Sequence, residues 1–551
     1  MFRPSTRLLL QNKNHGLTNS TGVHLFSKPL RLAVVGSGPS AFYAASKLLS
    51  FLGSENIRLN MFEELPVPFG LVRYGVAPDH PEVRNCVRKF NDTTADPRFS
   101  FYGNVRVGPP RDPAPPGILP TCIPLSLLLR THDIVLLSYG SSLPRLLPIP
   151  GYTTLQHVHP GKTFVQWYNG HPYSHTVPSS SEITSSFAPV TLSHARHASI
   201  LGHGNVALDV ARMLLTPVSH LQKSGYDVAE PVMEVLASSK IKEVDLVGRR
   251  GPAEMRGTTK EFREIVGMNR SFGVGWTVDG GSVAIQSALE ALERAPPENK
   301  ASNRPRRRSL DLLKSGASDD VKETDKRWSL RFFLNPMELT GSQGTIDGEP
   351  KGAVRSITYA KTVLGPNGQA TATGDVLKQE TDLVVGSVGY RSERIDDFFV
   401  EGEEDDGPTR LGWDESEGRI TNINGVALVE SSGRDRRSTT ELEPARVYVS
   451  GWVGLGAQGT IASTMYDAFT VAERIGLDWG MQGIEPDRKG VSELDMDRLL
   501  AVGLEKRRGS QKIVEWKDWE KIDQLERRRG EALGKEREKL LTVREMLDAC
   551  S

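Results

Sequence analysis

The sequence predicts an α/β fold with two dinucleotide-binding units, and three observations carry that prediction. The first is the stretch Arg31 to Ala45, RLAVVGSGPSAFYAA. Its β-branched apolar run, Leu32 to Val35, turns on Gly36-Ser37-Gly38 and reads as a helix from about Ser40. The second is Ala198 to Arg212, ASILGHGNVALDVAR, which repeats the design with Gly202, Gly204 and Ala207. The third is what ends the next strand in each half. Ile57 to Phe62 ends in Glu63, whereas Val244 to Gly248 runs into Arg249-Arg250.

Strand, glycine turn and helix in that order present free N–H groups and a positive helix end to a pyrophosphate. Gly36 suits the tight turn, Gly38 admits close backbone approach, and Ala41 takes the third position for helix–strand packing. An acid at the end of the second strand accepts hydrogen bonds from ribose hydroxyls. An arginine pair at the equivalent place binds a ribose 2′-phosphate through charge-assisted bonds. The acid-type half therefore suits FAD or NAD, and the arginine-type half suits NADPH. Together they point to a flavoprotein that takes hydride from NADPH.

Between and after these units the chain alternates strands with loops. LPVPFGLVRYGVAPDHPEVRN, residues 65–85, is too rich in Pro and Gly for a long helix before about Pro81. Arg73, Asp79 and His80 are its polar candidates. Residues 108–124 are proline-rich and read as an extended loop, and His132 to Tyr139 reads as a buried strand. Pro148 to Gly151 marks a crossing into a new unit, and 171–190 reads as surface loop. Residues 283–315 read as a charged helical segment broken at Pro296-Pro297, containing the basic run Arg304 to Arg308. That run suits docking of an acidic protein, since opposite charge speeds encounter and fixes orientation. Thr381 to Val388 and Arg446 to Gly451 read as strands. Trp452 to Met465 is glycine-rich, runs into a helix, and offers a way back to the first cofactor. The charged tail from Glu515 reads as a surface helix.

Composition narrows the classes. A chain of 551 residues exceeds one core, so two or three domains are expected. Its formal net charge of zero offers no field for nucleic acid. The three cysteines, Cys86, Cys122 and Cys550, are far apart and form no CxxC. That argues against a disulfide framework, a zinc ribbon, a cysteine-held cluster and a dithiol relay. No run is long and apolar enough to span a bilayer. No Asp or Glu precedes Glu55, and residues 1–29 carry Arg3, Arg7, Lys13 and Lys28 among Ser, Thr, Asn and Leu. This composition predicts a mitochondrial transit peptide.

VPFGLVRYGVAPDHPEVRN, GNVALDVAR, VGRRGP, SGWV and the tail DWEKID with GKEREKLL resemble the mitochondrial adrenodoxin reductase family, in a fungal-type form. The resemblance covers about residues 31–551, loops aside. It implies two Rossmann-like domains, with the NADPH domain (152–389) inserted into a discontinuous FAD domain (30–151 and 390–551, ending in a helical tail). It implies an FAD-dependent oxidoreductase of the mitochondrial matrix, peripheral at most on the inner membrane. Hydride would pass from NADPH to the flavin, and electrons singly to an adrenodoxin-like [2Fe–2S] ferredoxin. By motif, FAD would be held by Gly36, Gly38, Ser40, Glu63, Leu71, Val107, Trp452, Gly459, Thr460 and Ile461. NADPH would be held by Gly202, Gly204, Asn205, Val206, Arg249, Arg250, Glu261 and Gly459. His80, Asp209 and Glu261 would stand near the nicotinamide, and Arg304 and Arg308 would dock the ferredoxin.

The sequence departs from the family in four places. AEMRGTTKE follows GRRGP where a Gln and a Phe-Thr pair are usual, so Arg256 and Gly257 replace small and aromatic residues. The late loop reads GAQGTI for GPTGVI, His203 replaces a common glutamine, and 108–124 fits poorly. Two other readings stand beside this one. A flavin monooxygenase would need no ferredoxin, and a degenerate nucleotide-binding module would bind without turnover.

Overall fold

The computed structural model describes residues 29–52, 57–111, 117–176, 189–294, 300–314, 325–342, 352–365, 367–395, 411–428, 447–481, 497–498, 501–502 and 512–551. The basic leader at 1–28, Pro296-Pro297 and most of 402–440 lie outside them.

Two sheets organise the chain, the second parallel throughout and the first parallel except at its Asn422–Ile423 and Val426–Ala427 edge. The first has the order Asn422–Ile423, Val426–Ala427, Val447–Val449, Ile134–Leu137, Leu30–Val35, Ile57–Phe62, Phe99–Tyr102. Leu30–Val35 is buried along its whole length, as a strand covered on both faces must be. Val447–Val449 joins beside Ile134–Leu137 in parallel register, with Tyr448 opposite Leu136. The late chain thus completes a sheet begun by the first residues. The second sheet has the order Gly275–Val278, Arg327–Arg331, Glu243–Val247, His197–Leu201, Leu383–Gly386, Val158–Pro160. Every strand in it comes from between the two parts of the first sheet.

The chain crosses between the sheets twice, and the crossings pair with each other. Leu143–Pro144 runs antiparallel to Tyr390–Arg391. Beside them the Ser141 and Ser392 hydroxyls lie 3.1 Å apart, and Tyr139 donates to the Glu393 carbonyl at 2.9 Å. An antiparallel three-stranded sheet, Leu334–Gly341, Val354–Leu364 and Ala370–Glu380, packs on the second parallel sheet through Tyr359, Ile357 and Leu339.

Helix Pro39–Phe51 follows the first glycine turn and helix Asn205–Leu215 the second. The loop read as unable to form a long helix holds only Leu71–Tyr74 and a 3₁₀ turn, Pro81–Asn85. The charged segment after 280 forms two helices, Gly281–Glu293 and Lys300–Lys314. Within the proline-rich stretch, Thr121–Ile123 forms a strand against Val105–Val107.

The tail corrects one expectation. Helix Trp516–Ala532 is not merely a surface helix, because one face of it is core. Trp519 and Ile522 join the cluster of Phe42, Phe69 and Phe90, and the Trp519 ring meets Phe69 edge-on at 5.8 Å. Glu526 is fully buried and takes Arg73 at 2.5 Å and Arg537 at 3.2 Å. Most of the helix's charges are exposed, as a surface helix predicts, but Asp518 and Glu526 turn inward with Trp519 and Ile522.

Candidate active site

A cavity of about 970 Å³ opens at the C-terminal edge of the first sheet. Gly36, Gly38, Ser40, Glu63, Leu71 and Val107 line it, and from the late chain Trp452, Thr460 and Ile461. Gly459 does not line it; it turns the backbone at φ +85° just before Thr460.

The cradle is built from close backbone contacts. Gly36 has φ +98°, and a Cβ there would lie 2.6 Å from the Cα of Tyr139. No side chain caps the helix that starts at Pro39, so its first N–H groups stay available. Open space surrounds Gly38 on its Cβ side. The PFG loop leans on this turn: Phe69 donates to the Ser37 carbonyl at 3.0 Å, and a Cβ on Gly70 would sit 3.3 Å from Gly38. The late chain closes the other side, where the Ser40 and Ser450 hydroxyls lie 2.6 Å apart. Asp467 accepts from Ser450 at 3.0 Å and from the Gly451 amide at 2.6 Å.

Glu63 already does structural work. Its Oε2 accepts from the Ser37 amide at 3.0 Å and the Ser37 hydroxyl at 2.6 Å. Its Oε1 accepts from the Leu65 amide at 3.0 Å. An ionised carboxylate has about four acceptor positions, so capacity remains for a ribose hydroxyl. Burial raises its pKa, against the lowering effect of these bonds.

The second glycine turn shares the geometry. Gly202 has φ +141°, and a Cβ there would strike the Ser387 carbonyl. Helix Asn205–Leu215 starts uncapped at Gly204, with open space on the Cβ side of Gly204. Asn205 faces the segment after GRRGP, its Oδ1 accepting from the Thr258 amide at 2.8 Å, and Val206 is half-buried beside it. His203 donates into the sheet at the Leu246 carbonyl, 2.8 Å away, and burial pushes its pKa down to about 4. A neutral donor there does what a glutamine amide could. Arg249 is exposed and Arg250 half-exposed at the end of Glu243–Val247. Arg304 and Arg308 are exposed on helix Lys300–Lys314.

His80, Asp209 and Glu261 come from three separate elements and meet around a residue the sequence reading did not single out, Arg212. Its guanidinium is 5% exposed. It donates to Asp79 at 2.6 Å and Glu261 at 2.9 Å, and it lies 3.3 Å from Glu264. His80 Nε2 lies 2.6 Å from Glu264 Oε2 and 3.1 Å from Arg212 Nη2. Arginine only donates, so Nε2 either gives its proton to Glu264 or accepts from Arg212, never both. Burial alone would lower the His80 pKa, but the bond to Glu264 and the charges of Asp79 and Glu261 together outweigh it, and the pKa is raised. His80, Glu261 and Glu264 are also close enough to ligate a cation, yet Arg212 already supplies positive charge to the two carboxylates.

Asp209 is the strained member. Its Oδ1 lies 2.9 Å from Arg212 Nη2 without the alignment of a hydrogen bond. Burial pushes its pKa up to about 7, with Arg212 opposing and Glu261 assisting. Asp209 acts electrostatically on Tyr390, whose ring lies 5.9 Å from Trp452. His80, Asp209, Arg212 and Glu261 are not among the residues that line the cavity. A carboxyl that keeps its proton longer folded than unfolded stabilises fully below about pH 4, and loses that contribution as pH rises towards 7. Urea midpoints followed from pH 4.5 to 7.5 should decline less steeply in Asp209→Asn than in the unchanged chain. Equal slopes would remove Asp209 as the titrating group.

Comparison with known proteins decides the family. The chain is 36% identical to the mitochondrial NADPH:adrenodoxin oxidoreductase of Salvelinus fontinalis, over 97% of this chain and 92% of that one. The human protein of the same name is 34% identical, covering 95% and 93%. The chain belongs to the NADPH:adrenodoxin oxidoreductase family. The Schizosaccharomyces pombe member, a probable one by name, is 31% identical over 91% of both chains. Among solved structures, Mycobacterium tuberculosis FprA in complex with NADPH matches with a TM-score of 0.72 and 30% identity, over 95% of this chain and all of that one. No protein-family model matches the chain. Family membership fits the two-sheet plan, in which one dinucleotide unit interrupts the other.

Proposed function

We propose that this chain oxidises NADPH at an FAD held in the 970 Å³ cavity, and passes electrons to an adrenodoxin-type [2Fe–2S] ferredoxin. One observation carries the reading. Two uncapped, glycine-bounded helix N-termini share the molecule, one beside an acid and a large cavity, the other beside an arginine cluster. The chain is an oxidoreductase, a flavoprotein that uses NADPH, as its family implies.

FAD supplies the conversion of one two-electron hydride into single-electron transfers. The chain's part is to bind, orient and set charge. The N–H groups of Gly38 and Ser40 would meet the flavin dinucleotide's pyrophosphate. Glu63 takes its ribose, while Leu71, Val107, Trp452, Thr460 and Ile461 wall the cavity. On the other side the N–H groups from Gly204 to Val206 meet the NADPH pyrophosphate, and Arg249 and Arg250 take the 2′-phosphate. His80 holds a proton at Nε2 that it shares with Glu264, and Asp209 and Glu261 set the charge around it. Gly459 shapes the turn that presents Thr460. Arg304 and Arg308 offer positive charge to the ferredoxin. The strand memberships of the two sheets support an FAD domain of 30–151 and 390–551 around an NADPH domain of 152–389.

The relatives are named mitochondrial. The acid-free basic leader supports import to the matrix. Among the described residues no helix is long and apolar enough to cross a membrane, so contact with the inner membrane is taken as peripheral at most. Zero net charge supports no role for nucleic acid.

Anaerobic titration tests this. NADPH should bleach the flavin absorbance more readily than NADH, and oxidised [2Fe–2S] ferredoxin should restore it. Arg249→Ala should raise the KM for NADPH about tenfold while leaving that for NADH nearly unchanged. Flavin that NADPH cannot bleach, or an unchanged NADPH to NADH preference in the variant, counts against the reading.

A further inference from the structure

Arg256 is a departure from the family pattern, and its position gives it a use. Its amide donates to the His203 carbonyl at 3.3 Å, and the next amide, Gly257, donates to the same carbonyl at 3.0 Å. Thr258 then binds Asn205 Oδ1 at 2.8 Å. Three consecutive backbone bonds therefore fasten this segment onto the second glycine turn. Gly257 is packed tightly, since a Cβ there would lie 2.7 Å from both Leu208 and Phe262. The backbone that carries Arg256 cannot drift away from the turn.

The side chain is exposed and, among the described residues, makes no ion pair. The Arg256 and Arg249 charges both act on Arg250, Arg256 the more strongly, with Arg306 contributing from helix Lys300–Lys314. The acid acting on that group is Glu254, which is half-buried with a buried Oε2 that has no hydrogen-bond partner. Three guanidiniums, those of Arg249, Arg256 and Arg306, thus act on a fourth, Arg250, with Glu254 the acid among them, beside a turn of free N–H groups. Such an excess of unpaired positive charge is costly to assemble unless an anion occupies it.

We propose that Arg256 is a third guanidinium on the NADPH 2′-phosphate, adding to the discrimination made by Arg249 and Arg250. The proposal rests on the dinucleotide reading of this turn. The dianionic phosphate has enough acceptor oxygens for three arginines, which a ribose hydroxyl lacks. The bonds that place Arg256 come from backbone amides, so replacing its side chain leaves the segment anchored.

The test uses the full-length, FAD-loaded protein with Arg256→Ala, Arg256→Lys and Arg249→Ala side by side. Arg256→Ala should raise the KM for NADPH about five- to tenfold, with the KM for NADH and kcat held, and should weaken inhibition by 2′,5′-ADP equally. Arg256→Lys should fall between, because an ammonium keeps the charge and loses the fork. If Arg249→Ala shifts the NADPH to NADH ratio and Arg256→Ala does not, this proposal is overturned alone. Equal loss with both dinucleotides also overturns it, placing Arg256 on the pyrophosphate. If neither variant shifts the ratio, the arginine-type site itself is misread.

Discussion

Arg212→Gln should lower the unfolding midpoint of the FAD-loaded protein by an amount worth about 3–5 kcal/mol. The reason is geometric. Arg212 is 5% exposed and faces carboxylates from three directions: Asp79 at 2.6 Å, Asp209 at 2.9 Å and Glu261 at 2.9 Å. Burial by itself works against ionised Asp79, and Arg212 is what holds its pKa below the ordinary range. Remove the guanidinium and the carboxylates stay buried without compensation. Removing one partner of a buried ion pair costs far more than the pair is worth against an apolar substitute. Arg212→Lys should recover only part, since one ammonium cannot serve acids on three sides. Chemical denaturation at pH 7.5 reads both variants, and a loss under about 1 kcal/mol, the range of an exposed pair, would reduce Arg212 to an ordinary surface cation. The same variant should alter the pH profile of NADPH oxidation. Without Arg212, His80 Nε2 faces the Glu264 and Glu261 carboxylates with no opposing cation from that side, and keeps its proton to higher pH.

That hub shows where sequence reading stops. Both glycine turns were legible because strand, turn and helix are contiguous, and a contiguous motif carries its own geometry. The contrast between Glu63 and Arg249-Arg250 was legible for the same reason. Asp209 and Arg212 are three apart on one helix, so their pairing was available as a local signal. What was not local is that Asp79 and His80 arrive from a loop within the first unit, and Glu261 and Glu264 from helix Thr259–Phe272. Only the packing of the two units brings them together. Glu63 was found, but not the three donors from Ser37 and Leu65 that it already holds. The tail was misjudged because charge was read as exposure. Trp519 and Ile522 sit three apart, which is a buried stripe, but Arg and Glu around them masked it.

The tail also supports the second large expected effect, at Asp227. This carboxylate lies between helices Val218–Lys223 and Glu230–Ala237 of the second unit and is 2% exposed. It meets Arg84, from the loop of the first unit, at 2.5 Å, and Lys539, from the tail, at 2.8 Å. Burial would raise its pKa, but Lys539 and Arg84 together hold it far below the usual carboxylate range. Its stabilisation is therefore present above about pH 4 and is lost as pH falls below that value. Asp227→Asn should cost about 3–5 kcal/mol near pH 6.5, because it leaves Arg84, and the fraction of Lys539 still protonated, facing an uncharged amide. Burial pushes the Lys539 pKa down to about 7 even with Asp227 beside it. Once Asp227 is neutral, Lys539 has lost the partner that kept it charged and releases its proton more readily, whereas Arg84 cannot. The deficit should therefore shrink between pH 6.5 and 8.5, and adding Lys539→Met to Asp227→Asn should recover part of it at pH 6.5. A deficit that is constant across that range, with no recovery in the double variant, would mean that Lys539 bears no strain from the lost charge. Because the triad joins both units and the tail, the single variant should also make their unfolding less concerted. Separate probes of the two sheets, such as flavin release and the fluorescence of Trp276 and Trp328, should part in midpoint where in the unchanged chain they coincide.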